Sequence, residues 1–346
     1  MEGGSAVHTI RDVARLAGVS VATTSKVLNN KGYVSPKLTQ RVLSATEALD
    51  YHPDQVARSL KVRQTQTIGI VIPDVTNPFF TDVIKGVENE ARAAGYSLIL
   101  CDSSEDPALE RSNLSMLFSR RVDGVLLAPT EGCWAPERVA RRRFPLVLFD
   151  RCSLGFTGSA VLTDNFAAAY DATRHLIGLG HQRLAIITGR LDLPNAVERL
   201  EGFRQALQEA RLLLRQEYLR RGDFHLESGH QQGLELLRLP DPPTAIFSCN
   251  NKMTLGLMRA LYELGVPCPE RVSVLGFDDF DWAANFNPRL TTVAQPTLEM
   301  GKQAVQMLLA KIESFNRRLE FDEEKVVALK AELRIRDSTA PPYAVA

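Results

Sequence analysis

The sequence predicts a small all-α helix-turn-helix head followed by an α/β body of doubly wound parallel sheets. Three observations carry that expectation. Apolar residues recur at helical spacing between Thr9 and Leu49, short apolar runs alternate with amphipathic stretches from Thr67 onward, and charge is divided unevenly between the two regions. With 346 residues the chain exceeds a single module of roughly 150 residues. Its 45% hydrophobic and 24% charged content is globular and argues against disorder, collagen and coiled coil. Lys+Arg and Asp+Glu both number 41, so overall charge says nothing of a nucleic-acid or membrane partner. Up to Gln64, however, nine basic residues stand against five acidic ones, a net +4, which leaves 32 against 36, a net −4, in the remainder. That asymmetry directs attention to the head.

In chain order, Ile10, Val13, Ala14 and Ala17 mark a first helix that Gly18 breaks. Ser20 stands where an N-cap belongs, and a second helix runs from Val21 to Asn29. Ser35 and Pro36 open a third, with Leu38, Val42, Ala45 and Leu49 on its apolar face, and Pro53 ends the unit. Two helices joined by a tight Gly-containing turn on a basic segment suit a major groove, although an ordinary αα-hairpin has the same spacing. In the body, residues 68–72, 98–100, 125–127, 146–149, 184–187, 245–247 and 272–275 read as buried strands, with a helix carrying Phe80, Val83, Ile84, Val87 and Ala91 after the first. Seven such runs with helices between them imply parallel sheets covered on both faces.

Ligands of open α/β sheets sit beyond the carboxyl ends of the strands. The residues there are 74–77, Asp102, Asp150 and Arg151, Gly189 and Arg190, Asn250 and Asn251, and Asp278 and Asp279. Carboxylates and amides chelate vicinal hydroxyls, Arg donates to hydroxyl or ring oxygens, and Phe79 and Phe80 could cover the apolar face of a sugar ring. The plainer alternatives stay open: Asn77 and Pro78 as a helix cap, the two phenylalanines as core, and Asp150 and Asp278 as the starts of loops. The five cysteines (101, 133, 152, 249 and 268) are odd in number and lack a C-x-x-C pair, which fits a reducing cytosol rather than a disulfide framework or zinc site. His225 and His230 fall on an expected loop without a cysteine pair, so no metal is expected. There is no P-loop, G-x-S-x-G or strand-linked G-x-G-x-x-G, so no cofactor, no catalytic residue and no enzymatic activity are expected. No export signal and no run approaching the roughly 18 apolar residues of a membrane span is apparent, which gives the expectation of a cytoplasmic protein without a membrane partner.

The stretch from Thr9 to Asn29 resembles the DNA-binding head of the lactose-repressor (LacI/GalR) family almost position by position, and Tyr51 to Leu60 resembles that family's hinge. The likeness continues through Asn77-Pro-Phe-Phe80, Arg121-Val-Asp-Gly124, His175 to His181, Gly276-Phe-Asp278, Leu290 to Pro296 and Arg336 to Pro342, nearly the whole chain. It implies a head at 1–52, a hinge helix or linker at 53–65, and an effector-binding and dimerisation body at 66–346. The body would form two periplasmic-binding-protein-like lobes: an N-lobe of about 66–164 and 294–325, and a C-lobe of about 165–293 with the terminal segment. By that resemblance Val21, Ala22 and Lys26 read base edges of double-stranded operator DNA, while Ser20, Thr23, Ser25 and Asn29 mostly contact phosphates. Thr9 and Ala57 complete that set together with Leu60, which the resemblance makes a minor-groove wedge and position alone makes the last apolar residue of a linker. Lys26 stands where the family most often has Arg, which leaves guanine recognition at that position in doubt.

Against ribose-type binding proteins, Phe79, Phe80, Asp150, Arg151, Arg199, Phe224, Asn250, Asp278 and Gln295 fall on sugar-holding positions, with Asn77 beside them. Purine repressors would place a basic residue near Leu193, and Asn251 stands where Asp is usual. The implied function is a homodimeric repressor on a palindromic operator, relieved by a pentose or hexose. The alternatives are a purine, nucleoside or sugar-phosphate corepressor, a transport sugar-binding protein, and a doubly wound enzyme. The short tail after Asp337, without leucine heptads, argues against a tetramer.

Overall fold

The computed structural model describes residues 8–28, 32–51, 64–130, 144–152, 156, 158–319 and 325–343. Its contacts divide into two compact units, Met1–Thr65 and Gln66–Ala346.

The first unit is three helices: α1 (Ile10–Ala17), α2 (Val21–Leu28) and α3 (Pro36–Ala48). Asp12 starts α1 by accepting hydrogen bonds from the Thr9 backbone nitrogen (2.9 Å) and hydroxyl (2.7 Å). Gly18 ends it in the left-handed region at φ 62°, where a Cβ is costly. Val13, Ala17, Val27, Val42 and Ala45 form a small core. Asn29, the expected end of α2, lies outside the described residues, as do Ala57, Leu60 and most of the expected hinge.

The second unit begins with β1 (Thr67–Ile72), α4 (Pro78–Ala93), β2 (Ser97–Asp102), α5 (Pro107–Ser119), β3 (Gly124–Leu127), β4 (Leu146–Phe149) and β5 (Ser159–Thr163). There follow α6 (Asn165–Gly178), β6 (Leu184–Thr188), α7 (Pro194–Glu209), β7 (Leu219–Arg221), α8 (Leu226–Leu237), β8 (Ala245–Ser248), α9 (Asn251–Glu263) and β9 (Ser273–Phe277). The last elements are β10 (Thr291–Ala294), α10 (Thr297–Arg317), β11 (Val326–Leu329) and β12 (Glu332–Arg334). Two six-stranded sheets result, in the orders β11-β5-β4-β3-β1-β2 and β12-β10-β9-β8-β6-β7. All pairings are parallel except β10 with β12. The sheets are the expected parallel ones, with one antiparallel edge: β12 follows β11 in sequence but joins the other sheet, running antiparallel to β10.

The central strands β1, β3 and β4 of the first sheet read as continuous apolar runs because both of their faces are covered. Ile68, Ile70 and Ile72 join the core under α4 and α10, whereas Val71 joins the core under α5. Leu126 and Val147 face the first of these cores, and Leu127 and Leu148 face the second. The helix pair α4 and α10 crosses at backbone contact: a Cβ on Gly86 would lie 2.3 Å from the Leu298 carbonyl, and one on Gly301 would lie 2.2 Å from that of Val83.

The chain passes between the lobes near Asp164, Gln295 and Lys330. β11 pairs with β5, so the N-lobe's second segment extends through Leu329 instead of ending at 325. The segment after β12 is bound to the C-lobe. Ser338 bonds both backbone groups of Val274, and Arg336 grips Asp279 in two bonds of 2.8 and 2.9 Å.

Candidate functional site

On the head, the turn of Gly18, Val19 and Ser20 turns the chain from α1 into α2, and Ser20 Oγ accepts the Thr23 backbone N–H (3.1 Å). Thr24 and Val27 point into the core, which leaves Val21, Ala22 and Lys26 outward and exposed, with Thr23 and Ser25 half-buried at the margin. The face therefore offers two small apolar groups and a cation to whatever docks on it.

In the body, a cleft between the lobes is lined by Asp74, Asn77, Phe79, Phe80, Glu105, Asp150, Arg151, Asn195, Arg199, Phe224, His225, Asn250, Asp278 and Gln295. All ten sequence-predicted body residues converge there, eight of them near a strand end or a helix start, with Arg199 in the second turn of α7 and Phe224 in the loop before α8. Asn77 caps α4, accepting the Phe79 N–H at 3.0 Å, so the capping and lining readings hold together. Phe79 and Phe80 meet edge to face at 5.0 Å; both are core and both line the cleft. Asn250 caps α9 through the Met253 N–H (2.9 Å) and donates to the Phe224 carbonyl (2.9 Å).

Arg199 rises from α7 and is 2% exposed. Its Nε donates to Asn165 Oδ1 (2.8 Å) and its Nη1 to the Cys249 carbonyl (2.6 Å), with the guanidinium 3.6 Å from the centre of the Phe277 ring. Arg151 donates both terminal nitrogens to Glu105 (2.9 and 3.0 Å) and lies 5.6 Å from the Phe224 ring of the opposite lobe. Gln295, at a crossing between lobes, donates to Asp278 (2.6 Å) and accepts from Thr163. At the rim Asn251 donates to Asn77 (2.9 Å), and Lys252 binds Asp74 and Thr76 of the other lobe.

Two carboxyls are held unusually. Burial pushes Asp150 up to about 6; Arg151 and Arg199 pull it down, and Asp278 and Glu105 push it further up. Burial likewise raises Asp278, against the pull of Arg199 and the Gln295 hydrogen bond. Asp150, Phe224 and Asp278 all have left-handed backbones (φ 60°, 73° and 72°), a conformation that costs a non-glycine residue about 1–3 kcal/mol and clusters at functional sites. The cleft encloses about 430 Å³ of empty space, part of it open to solvent.

Glu105 and Asn195, which the sequence reading did not name, also line the cleft, as does His225, weighed there only as a metal ligand. Asn195 sits in the first turn of α7, a helix that follows a strand end, and that position was its available signal. His230, expected on a loop, lies within α8 and bonds Glu263 at 2.7 Å. Leu193, where a basic residue would suit a purine, is fully buried in the C-lobe core. Trp282 lies between Phe280 and Phe286 in a small aromatic cluster. Among the described residues no group of three His, Cys, Asp or Glu could hold a metal ion, and no helix is long and apolar enough to cross a membrane.

Comparison with known proteins places residues 9–54 in the family described as "Bacterial regulatory proteins, lacI family" and residues 173–339 in "Periplasmic binding protein-like domain". The chain is 41% identical over 309 residues to the ribose operon repressor of Escherichia coli (strain K12), covering 88% of this chain and 93% of that protein. Its structure is similar to a crystal structure of the lac repressor dimer bound to operator and the anti-inducer ONPF (TM-score 0.84, 26% identity, 96% and 99% of the two chains). It is also similar to a LacI family transcriptional regulator from Enterococcus faecium with bound ribose (TM-score 0.70, 32% identity, 80% and 99%).

Proposed function

The chain belongs to the lacI family of bacterial regulatory proteins, and from that premise we propose that it is a transcriptional repressor whose operator binding is relieved by a small neutral sugar, in the first instance a pentose. It acts as a homodimer on palindromic double-stranded DNA, two-fold protein symmetry matching two-fold operator symmetry. In this reading it is a cytoplasmic regulator rather than an enzyme or a transport protein.

The observation that carries the effector reading is the convergence of acceptor carboxylates (Asp150, Asp278), donor side chains (Arg199, Asn250) and phenylalanine rings (Phe79, Phe80) on one cleft between two lobes. Such a set matches a ring with several hydroxyls and one apolar face. The similarity to a ribose operon repressor and to a regulator with bound ribose favours a pentose. A ligand enclosed between two lobes enters and leaves only when they part, so the lobes open for the sugar and reclose around it. In the head, Val21, Ala22 and Lys26 read bases while Thr9, Ser20, Thr23, Ser25 and Asn29 position the backbone. Ala57 and Leu60 engage the minor groove, and the hinge at 53–65 relays the change of the lobes.

Thermal shift against pentoses, hexoses, sugar phosphates, nucleosides and purines tests the cleft, because a ligand at 100 times its dissociation constant adds about 2.7 kcal/mol. The expected result is a shift with one neutral sugar, and that same sugar must weaken binding to the upstream operator in a gel shift. A shift with purines alone, or tighter operator binding in the presence of ligand, refutes the inducer reading.

A further inference from the structure

Glu105 holds two arginines, one from each lobe. It sits in the loop between β2 and α5 with a left-handed φ of 57°, and its side chain is 13% exposed. Arg151 from the N-lobe takes both of its oxygens at 2.9 and 3.0 Å, and Arg190, just past β6 in the C-lobe, approaches Oε2 at 3.4 Å. Arg190 is also engaged by Asp192 (2.6 Å), and Arg151 Nε faces Asp150 at 3.5 Å. The guanidinium groups that could receive an anion at this rim are therefore engaged by the protein's own carboxylates. With Asp278, four carboxylates stand among Arg151, Arg190 and Arg199, and the neighbouring pair of Asp74 and Lys252 is neutral. A ligand phosphate or carboxylate would either enter a site already in negative excess or displace Glu105 and strand it, largely buried, without a partner. Either way it is disfavoured relative to a hydroxyl in the same place.

We propose that Glu105 is a specificity-determining residue: by occupying Arg151 and Arg190 it confines the cleft to uncharged polyhydroxy ligands and turns away sugar phosphates and sugar acids. The proposal rests on the reading of the cleft as a neutral-sugar site. It adds that selectivity against anions resides in a loop residue that does not belong to the sugar-holding set.

The test is calorimetric titration of the full-length protein with D-ribose and with D-ribose 5-phosphate, wild type beside Glu105→Gln, which keeps the size and removes the charge. Wild type should prefer ribose by about 100-fold or more, and Glu105→Gln should shrink that preference by about tenfold or more, through tighter binding of the phosphate. Glu105→Ser, which relieves any packing demand of the longer side chain, should move the ratio in the same direction. An unchanged ratio in both folded variants overturns the filter while leaving the sugar cleft intact. A wild-type protein that prefers the phosphate, or binds neither compound, overturns the filter together with its premise. Those outcomes differ visibly, because in the first case wild type still binds ribose.

Discussion

On α2, the side chains offered to a partner are supported by almost nothing and support almost nothing: Val21 is 43% exposed, and Ala22 and Lys26 project outward from a helix whose core contacts are Thr24 and Val27. In the cleft, nine of the ten proposed contact residues are buried and Gln295 is half-buried. Asn77 and Asn250 start helices, Arg199 ties α7 to α6 and to the strand end at Cys249, and three residues hold left-handed backbones. The head can thus change what it reads at little cost to its fold. The cleft cannot change what it binds without disturbing the lobes that form it.

Arg199→Ala presses hardest on that contrast. It removes a buried cation from beside Asp278 and leaves the Cys249 carbonyl without its donor, so the body should lose about 3–5 kcal/mol of stability in urea unfolding together with ligand binding. A variant that loses ligand but keeps its stability would place this cleft on the same terms as the head. Lys26→Ala is the counterpart. Operator affinity should fall by about 1–3 kcal/mol in gel-shift titration if Lys26 reads a base. The unfolding midpoint should stay within about 0.5 kcal/mol of wild type, as for an exposed site.

The smallest effect concerns pH. Asp150, at about 6 in the folded protein against an ordinary 3.8, takes up a proton on folding between those values. The contribution of Asp150 to ligand-free stability therefore falls as pH rises from about 4 to 6. Hydroxyl donors favour the ionised carboxylate, so sugar affinity should rise through pH 6 and level off above it, by about tenfold between pH 5 and 7. Calorimetry across that range should show the rise in wild type and a much flatter profile in Asp150→Asn; equal slopes would remove Asp150 from the contact set.

Legibility in the sequence followed burial. The seven expected strands are all strands: six are runs covered on both faces, which have no reason to interrupt their apolar residues, and β2 keeps its apolar run at a partly exposed sheet edge. β5 and β10 escaped notice because buried hydroxyls, Ser159, Thr163, Thr291 and Thr292, break their runs. β7 and β12 are three residues long at sheet edges, and β11 alternates exposed and half-buried positions, so none presents a clear pattern. In the cleft, residues immediately after strands were found by topology, and Arg199, Phe224 and Gln295 came only from the family likeness. Glu105 lies three positions beyond β2, and nothing in its neighbours marks the turn that carries it back over Arg151.

The order in which the lobes are threaded also governs when each can exist. The head packs residues from a single stretch ending near Tyr51. The N-lobe core needs Met300, Ala304, Val305 and Leu308 from α10, and the C-lobe closes its edge with β12 and the strap from Arg336 to Ala340. On the ribosome, where chains emerge from the N-terminus and domains fold as units, the head is complete after its first few dozen residues while both lobes wait for the end of translation. A chain interrupted anywhere between Tyr51 and α10 carries a finished DNA reader and no finished lobe with which to answer a ligand.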